Sequence, residues 1–125
     1  MEIIIAPKAP AAIGPYSHAI KSGHTIYISG QVPFDPVTGN LVGATMTEQA
    51  TQAMKNLASV LEAAGLTMSN LVKTTVYLVN WNDFASFNAV YSQFLGNHKP
   101  ARACMEVSKI AKDALLEIEA IAEVS

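Results

Sequence analysis

One arginine and one cysteine occur in 125 residues, and both fall inside the five-residue stretch "PARAC" at positions 100–104. All other positive side-chain charge is lysine, at Lys8, Lys21, Lys55, Lys73, Lys99, Lys109 and Lys112. Arg102 is therefore not simply one more solubilising charge, and what it holds is the first question the sequence poses. The lone Cys104 excludes an internal disulfide, and the opening "MEIIIAPKAP" lacks a basic stretch followed by a signal-like apolar core. Both point to a reducing, cytoplasmic compartment. Charge is scarce as well: 14% of residues carry it, against about 25% in an average soluble domain. No apolar run approaches the roughly 18 residues that a membrane-spanning helix needs, so the surplus apolar surface is expected between subunits. A net charge of -2 and a pI near 5.8 exclude the broad positive field that nucleic-acid backbones reward. His18, His24 and His98 have neither metal-ligand spacing nor cysteine partners, so no metal is assigned.

What is present reads as one domain over residues 1–125. Prolines at 7, 10 and 15 keep "APKAPAAIGPYS" out of regular helix and make it an ordered arm. Residues 18–29 predict a hairpin turning at Gly23, and "PFDPVTGN" a turn-rich loop. From Thr45 the period becomes helical, with Ala50, Ala53, Met54, Leu57, Val60, Leu61 and Ala64 on one stripe; Thr45 and Glu48 form a capping-box pattern, and Gly65 a stop. "LVKTTVYLV" at 71–79 predicts a central strand. Asp83 then predicts the cap of a second helix, with Phe84, Phe87, Tyr91, Phe94 and Leu95 on one face before Gly96. Strands at 101–107 and 115–124 close the chain. The order ββαβαββ predicts an α+β fold, two helices packed on one face of a mostly antiparallel sheet.

Alternation along 101–107 sends Arg102, Cys104 and Glu106 to one side and Ala101, Ala103, Met105 and Val107 to the other. The apolar side is the expected core side, which points Arg102 away from the helices. There it requires a carboxylate, from a neighbouring chain or from a ligand, or else a partly buried ion pair with Glu106, Glu117 or Glu119. On the last strand Glu117, Glu119, Ile121 and Glu123 share one face, opposite Leu116, Ile118, Ala120, Ala122 and Val124. These acids read either as a solvated face or as groups that orient a water. A one-residue slip reverses the faces, so spacing alone does not set Glu117 against Arg102. Cys104, in mid-strand with no histidine nearby, reads as a small buried residue rather than a nucleophile. Tyr16 reads as an anchor for the arm, and Asn88 is an unusual residue for a helix interior.

Seven stretches, "APAAIGPYS", "YISGQVP", "EAAGL", "VKTTVYL", "NDFASFNAVY", "HKPARACMEV" and "EIEAIA", together resemble the Rid (YjgF) family of reactive-intermediate imine deaminases. Each is weak alone, but seven in order and spacing across nearly the whole chain are highly specific. The resemblance implies a chorismate-mutase-like fold and a homotrimer with a clefted site at each subunit interface. It also implies that Arg102 binds the carboxylate of a small 2-imino or 2-amino-alkenoic acid, and that Glu117 positions the hydrolytic water. Cys104 then lines the pocket, and Tyr16, Ser29, Gly30 and Asn88 complete its walls. Water adds to the C=N carbon of 2-iminopropanoate or 2-iminobutanoate, and the carbinolamine collapses to a 2-oxo acid and ammonia, with no cofactor. A planar fork suits this clamp, because two parallel charge-assisted bonds fix the acid's orientation, each worth roughly 1.5–3 kcal/mol. The loop "KIAKD" departs from the Leu-Pro-Lys-like segment usual before the last strand, and losing that proline is expected to loosen the loop, which bears on chain-length preference and rate. A second reading is a trimeric protein that senses 2-oxo acids and acts through a partner. Family members have also been described as translation inhibitors, ribonucleases and chaperones; without a basic stripe or paired histidines, ribonuclease activity has little support here.

Overall fold

In the computed structural model, which describes all 125 residues, the chain runs β1 (Glu2–Ile4), β2 (Ala19–Ser22), β3 (Thr25–Gln31), α1 (Met46–Ala63), β4 (Leu71–Leu78), α2 (Phe84–Leu95), β5 (Ala101–Glu106) and β6 (Leu116–Glu123). One six-stranded sheet has the order β1-β2-β3-β6-β4-β5. The α+β architecture is the expected one, with one strand more at the start. The N-terminal "EII" adds to β2 as an antiparallel edge. All neighbouring strands are antiparallel except β4 and β5, which run parallel. Parallel pairing needs a crossover, and α2 supplies it. The final two strands are therefore not neighbours: the loop after β5 carries the chain back over β4, and β6 enters the centre between β3 and β4.

The helix signals of the first stretch are realised atom by atom. Thr45 Oγ1 accepts from the Glu48 N–H, and the Glu48 carboxylate accepts in return from the Thr45 N–H. Gly65, at φ 75°, turns the chain out of the helix. Two amides on α1 are buried, against the simple stripe. Asn56 donates to the Val32 and Phe34 carbonyls, and Gln49 donates to the Gly43 carbonyl while accepting from the Leu115 N–H. These side chains tie the loops flanking β3 and β6 to the helix, so the ends of the strands that bear site residues are fixed from beneath. The second helix starts differently from expectation. Asp83 makes no side-chain cap; a single turn, Trp81–Asp83, precedes α2, and Asn80 caps that turn by accepting from the Asn82 N–H at 2.9 Å.

The core lies between the helices and one sheet face. Ile26, Ile28, Leu71, Val76, Leu78, Leu116 and Ile118 meet Met54, Leu57, Leu61 and Phe87 there, all buried. The other face has no layer over it. Tyr27 is 51% exposed and Met105 40% exposed, so apolar side chains stand there beside Glu117 and Glu119 with nothing from the same chain to cover them. No helix is long and apolar enough to cross a membrane.

Candidate active site

The sheet register reverses the expected facing of β5. Thr74, buried on the helix side, stands opposite Arg102, and Val76 opposite Cys104, while Lys73, Thr75 and Tyr77 on the open face stand opposite Ala101, Ala103 and Met105. Arg102 therefore points toward the helices. It is not in a structural ion pair with Glu106, Glu117 or Glu119; the salt bridges of the chain are Lys8–Glu62 and Lys109–Asp113. The reason lies in α2, whose residues 84, 88 and 91 follow an i, i+4, i+7 spacing and share one face. The guanidinium carbon sits 5.5 Å from the Phe84 ring centre and 5.0 Å from that of Tyr91. Its Nη1 donates to Asn88 Oδ1 at 2.8 Å. β5 is an edge strand near the rim of this layer, so the cation rests on aromatic faces and still reaches solvent. Alternation alone cannot distinguish this from a core of small alanines.

This arrangement fixes the fork. Of the five N–H donors of a guanidinium, one is bound to Asn88 and the outer edge faces a cleft of about 340 Å³ lined also by Tyr91, Ser92, His98 and Lys99. Tyr91 is itself held by a 2.7 Å hydrogen bond with Thr74, and burial raises its phenol above the ordinary range. Cys104, half-buried two residues along, packs against the core. Burial pushes its thiol up and the Arg102 charge only partly offsets this, so it stays a neutral wall rather than a thiolate. Phe84 and Tyr91 are the neighbours of Arg102 that a strand-centred reading misses; the signal that finds them is their helical spacing around Asn88.

Glu117 projects from the opposite side of the sheet, as its alternation predicts. It is half-buried in a pocket of about 310 Å³ with Tyr77, Lys109, Ile110 and Glu119. Burial raises its carboxyl above the usual carboxylate value, and the charge of Glu119 adds to the effect. The β3 residue it lies against is a glycine for a steric reason. β3 carries a bulge between Ile28 and Gln31, and a Cβ on Gly30 would stand 2.8 Å from Glu117 Cδ and closer still to Oε2. Gly30→Ala is accordingly expected to displace the carboxylate and lose most turnover with little change in fold. Circular dichroism and an activity assay on one preparation check it, and wild-type turnover would show that the carboxylate's position does not matter.

Ser29, the other bulge residue, donates from Oγ to the Ser17 carbonyl at 2.6 Å. His18 accepts at Nδ1 from the Ala6 N–H and sits 2.8 Å from the Pro10 carbonyl through Nε2, which makes Nε2 the protonated nitrogen. The arm is thereby closed onto β2 and β3. Tyr16 ends up half-exposed, lining with Gly30 a smaller pocket of about 190 Å³ under the arm. The loop before β6, expected to be loosened by its missing proline, is instead tied down. Lys112 and Asp113 adopt positive φ, Lys112 Nζ donates to the Gly39 carbonyl, and Ile110 is buried.

Within one chain the predicted residues thus form two groups. Arg102, Asn88 and Cys104 lie on the helix side of β5, while Glu117 at the start of β6 lies against Gly30 of the β3 bulge, with Ser29 beside Gly30 and Tyr16 lining a separate pocket with it. Residues 6–124 match the family model described as endoribonuclease L-PSP. The chain belongs to the Rid (YjgF, L-PSP) family. Among Rid-family relatives, the 2-iminobutanoate/2-iminopropanoate deaminase of Mus musculus is 49% identical over 97% of this chain and 90% of its own length. A RutC family protein of Pyrococcus horikoshii is 49% identical over 97% of this chain and 96% of its own. Among solved structures, E. coli TdcF with bound serine superposes with a TM-score of 0.95 at 41% identity, covering 100% of both chains. The Rid fold expected from the seven motifs is the fold observed.

Proposed function

We propose that this chain is an imine deaminase that hydrolyses 2-iminopropanoate, 2-iminobutanoate and related small 2-imino or 2-enamino acids to 2-oxo acids and ammonia. The observation that carries the reading is the division of the site: a pre-oriented guanidinium fork on one side of the sheet and a half-buried carboxylate of raised proton affinity on the other. Arg102 and Glu117 of a single chain do not share a cleft, whereas the helix-side edge of one copy set against the open face of another brings them together. The uncovered apolar face and the low charge content support such an assembly, and we take it to be a homotrimer with one site at each interface.

In that site the Arg102 fork holds the substrate carboxylate in two charge-assisted bonds, and Asn88, Phe84 and Tyr91 hold the fork. Glu117 takes a proton from water as the water oxygen bonds to the C=N carbon. Glu117 returns that proton to the imine nitrogen, which gives the carbinolamine; its hydroxyl proton then passes to nitrogen as the C=O bond forms and the C–N bond breaks, and ammonia leaves behind a 2-oxo acid. The chemistry is hydration and elimination, without electron transfer. A small carboxylate-bearing ligand also suits the serine-bound relative.

A ribonuclease reading has no comparable site. Two of the three histidines already contact backbone carbonyls, His18 that of Pro10 and His98 that of Leu71, and neither stands opposite the other as an acid–base pair. The test is ammonia release from imines generated in situ by an amino-acid oxidase, with and without the protein. Acceleration above the spontaneous rate is expected. Intact binding of 2-oxobutanoate without acceleration would favour a sensor of 2-oxo acids instead. Light scattering on the same sample should give a trimer; a monomer at micromolar concentration would leave Arg102 and Glu117 on separate faces with no shared site.

A further inference from the structure

Glu119 is the acid that this reaction leaves unused. It projects from β6 two residues after Glu117 and on the same face. Tyr77 on β4 stands directly opposite Glu117 in the sheet register, yet its phenol passes that neighbour and donates to Glu119 Oε1 at 2.6 Å. All three side chains line one pocket. The diagonal bond orients the Glu119 carboxylate, which is exposed, over the sheet. The same bond, followed by burial, raises the Tyr77 phenol above its ordinary range, so it remains a donor.

Few other charges face Glu117. The loop after β5 brings Lys109 into the pocket, but its ammonium lies 3.5 Å from Asp113. β3 offers Ser29 and Gly30, which are uncharged, and β5 presents Ala103 and Met105 on this face, its Arg102 and Glu106 projecting to the other. In the two-copy site a second copy adds its own Arg102. Glu119 is thus the fixed negative charge nearest Glu117 along its own strand.

Resting on the reading of Glu117 as the base, we propose that Glu119, held by Tyr77, is a positioning residue for the hydrolysis: its fixed carboxylate favours the step in which Glu117 accepts the proton of the attacking water. That proton leaves as the water oxygen bonds to the imine carbon, rests on Glu117 and passes to the imine nitrogen; the hydroxyl proton follows it to nitrogen as C=O forms and the C–N bond breaks, so ammonia carries away both protons of the water. Glu119 exchanges nothing and touches no reacting atom. The raised proton affinity of Glu117, caused first by burial and then by Glu119, agrees with this geometry.

The experiment is the pH profile of kcat/KM, spontaneous imine hydrolysis subtracted at each pH, for wild type, Glu119→Gln, Tyr77→Phe and Glu123→Gln. Activity requires ionised Glu117, so it falls as pH drops through that group's titration. Removing the Glu119 charge should move this acid limb to lower pH and lower the plateau severalfold, because a weaker base is a poorer catalyst. Tyr77→Phe should shift the limb the same way by less. Glu123→Gln, farther along the same face, should superimpose on wild type, and 2-oxobutanoate affinity should be unchanged throughout. An unmoved limb in Glu119→Gln, or an equal shift in Glu123→Gln, overturns the proposal. A purely structural role would lower activity at every pH without moving the limb, which also overturns it. Wild-type turnover in Glu117→Gln would instead remove the base itself, and so separates failure of the underlying reading from failure of this one.

Discussion

Arg102→Lys is expected to lower kcat/KM for 2-iminobutanoate by roughly 100-fold or more while the chain stays folded, because the positive charge is kept and the fork is not. Lysine presents one ammonium in place of two parallel N–H groups, and it cannot lie flat between the Phe84 and Tyr91 rings while donating to Asn88. The loss should fall on both substrate affinity and turnover, since the same two bonds align the carboxylate and fix the imine carbon against the water. The absence of an ion pair from Arg102 to any acid of its own chain makes a large stability effect unexpected. Steady-state kinetics and a denaturant midpoint on one preparation separate the two. Equal activity would remove the clamp; a clearly lower midpoint with proportionate activity would make Arg102 a structural residue.

Glu117→Gln should lower turnover by roughly 100-fold or more if the carboxylate removes the water proton. Glutamine keeps the size and can still lie over Gly30, so the pocket is retained. Binding of 2-oxobutanoate should survive or tighten slightly, since a negative charge near an anionic ligand has been removed. Calorimetry and the ammonia assay read the two quantities. Loss of both together would point to a collapsed site, and unchanged turnover would exclude Glu117 as the base.

How far the sequence reaches depends on whether its signals are local. The Thr45–Glu48 box, the Gly65 stop and the Gly23 turn are decided within a few residues, and each is observed where expected. The facing of β6 was legible because Leu116, Ile118, Ala120 and Ala122 are apolar without exception, which leaves Glu117 and Glu119 no other side. β5 offered no such contrast. Its apolar set, Ala101, Ala103 and Met105, is small enough to lie on an open face, and its polar set includes a guanidinium that aromatic rings can receive. Only the parallel register with β4, a long-range fact, decides between them. The extra strand β1, the central place of β6 and the buried Gln49 and Asn56 share that origin: each is fixed by a partner many residues away. The candidate residues were individually legible through the family resemblance, but their separation onto two faces was not.

That separation is what a complementation measurement addresses. Arg102→Lys and Glu117→Gln chains, each strongly impaired alone, are unfolded together in equal amounts and refolded into mixed assemblies. If every site takes its arginine from one copy and its glutamate from the next, about a quarter of the sites in a randomly mixed cyclic assembly carry both native groups. Ammonia release from 2-iminobutanoate should then return to about that fraction of the wild-type rate. Activity no greater than that of the two variants measured separately would contradict the account, because it would mean that the fork and the base act from within the same chain.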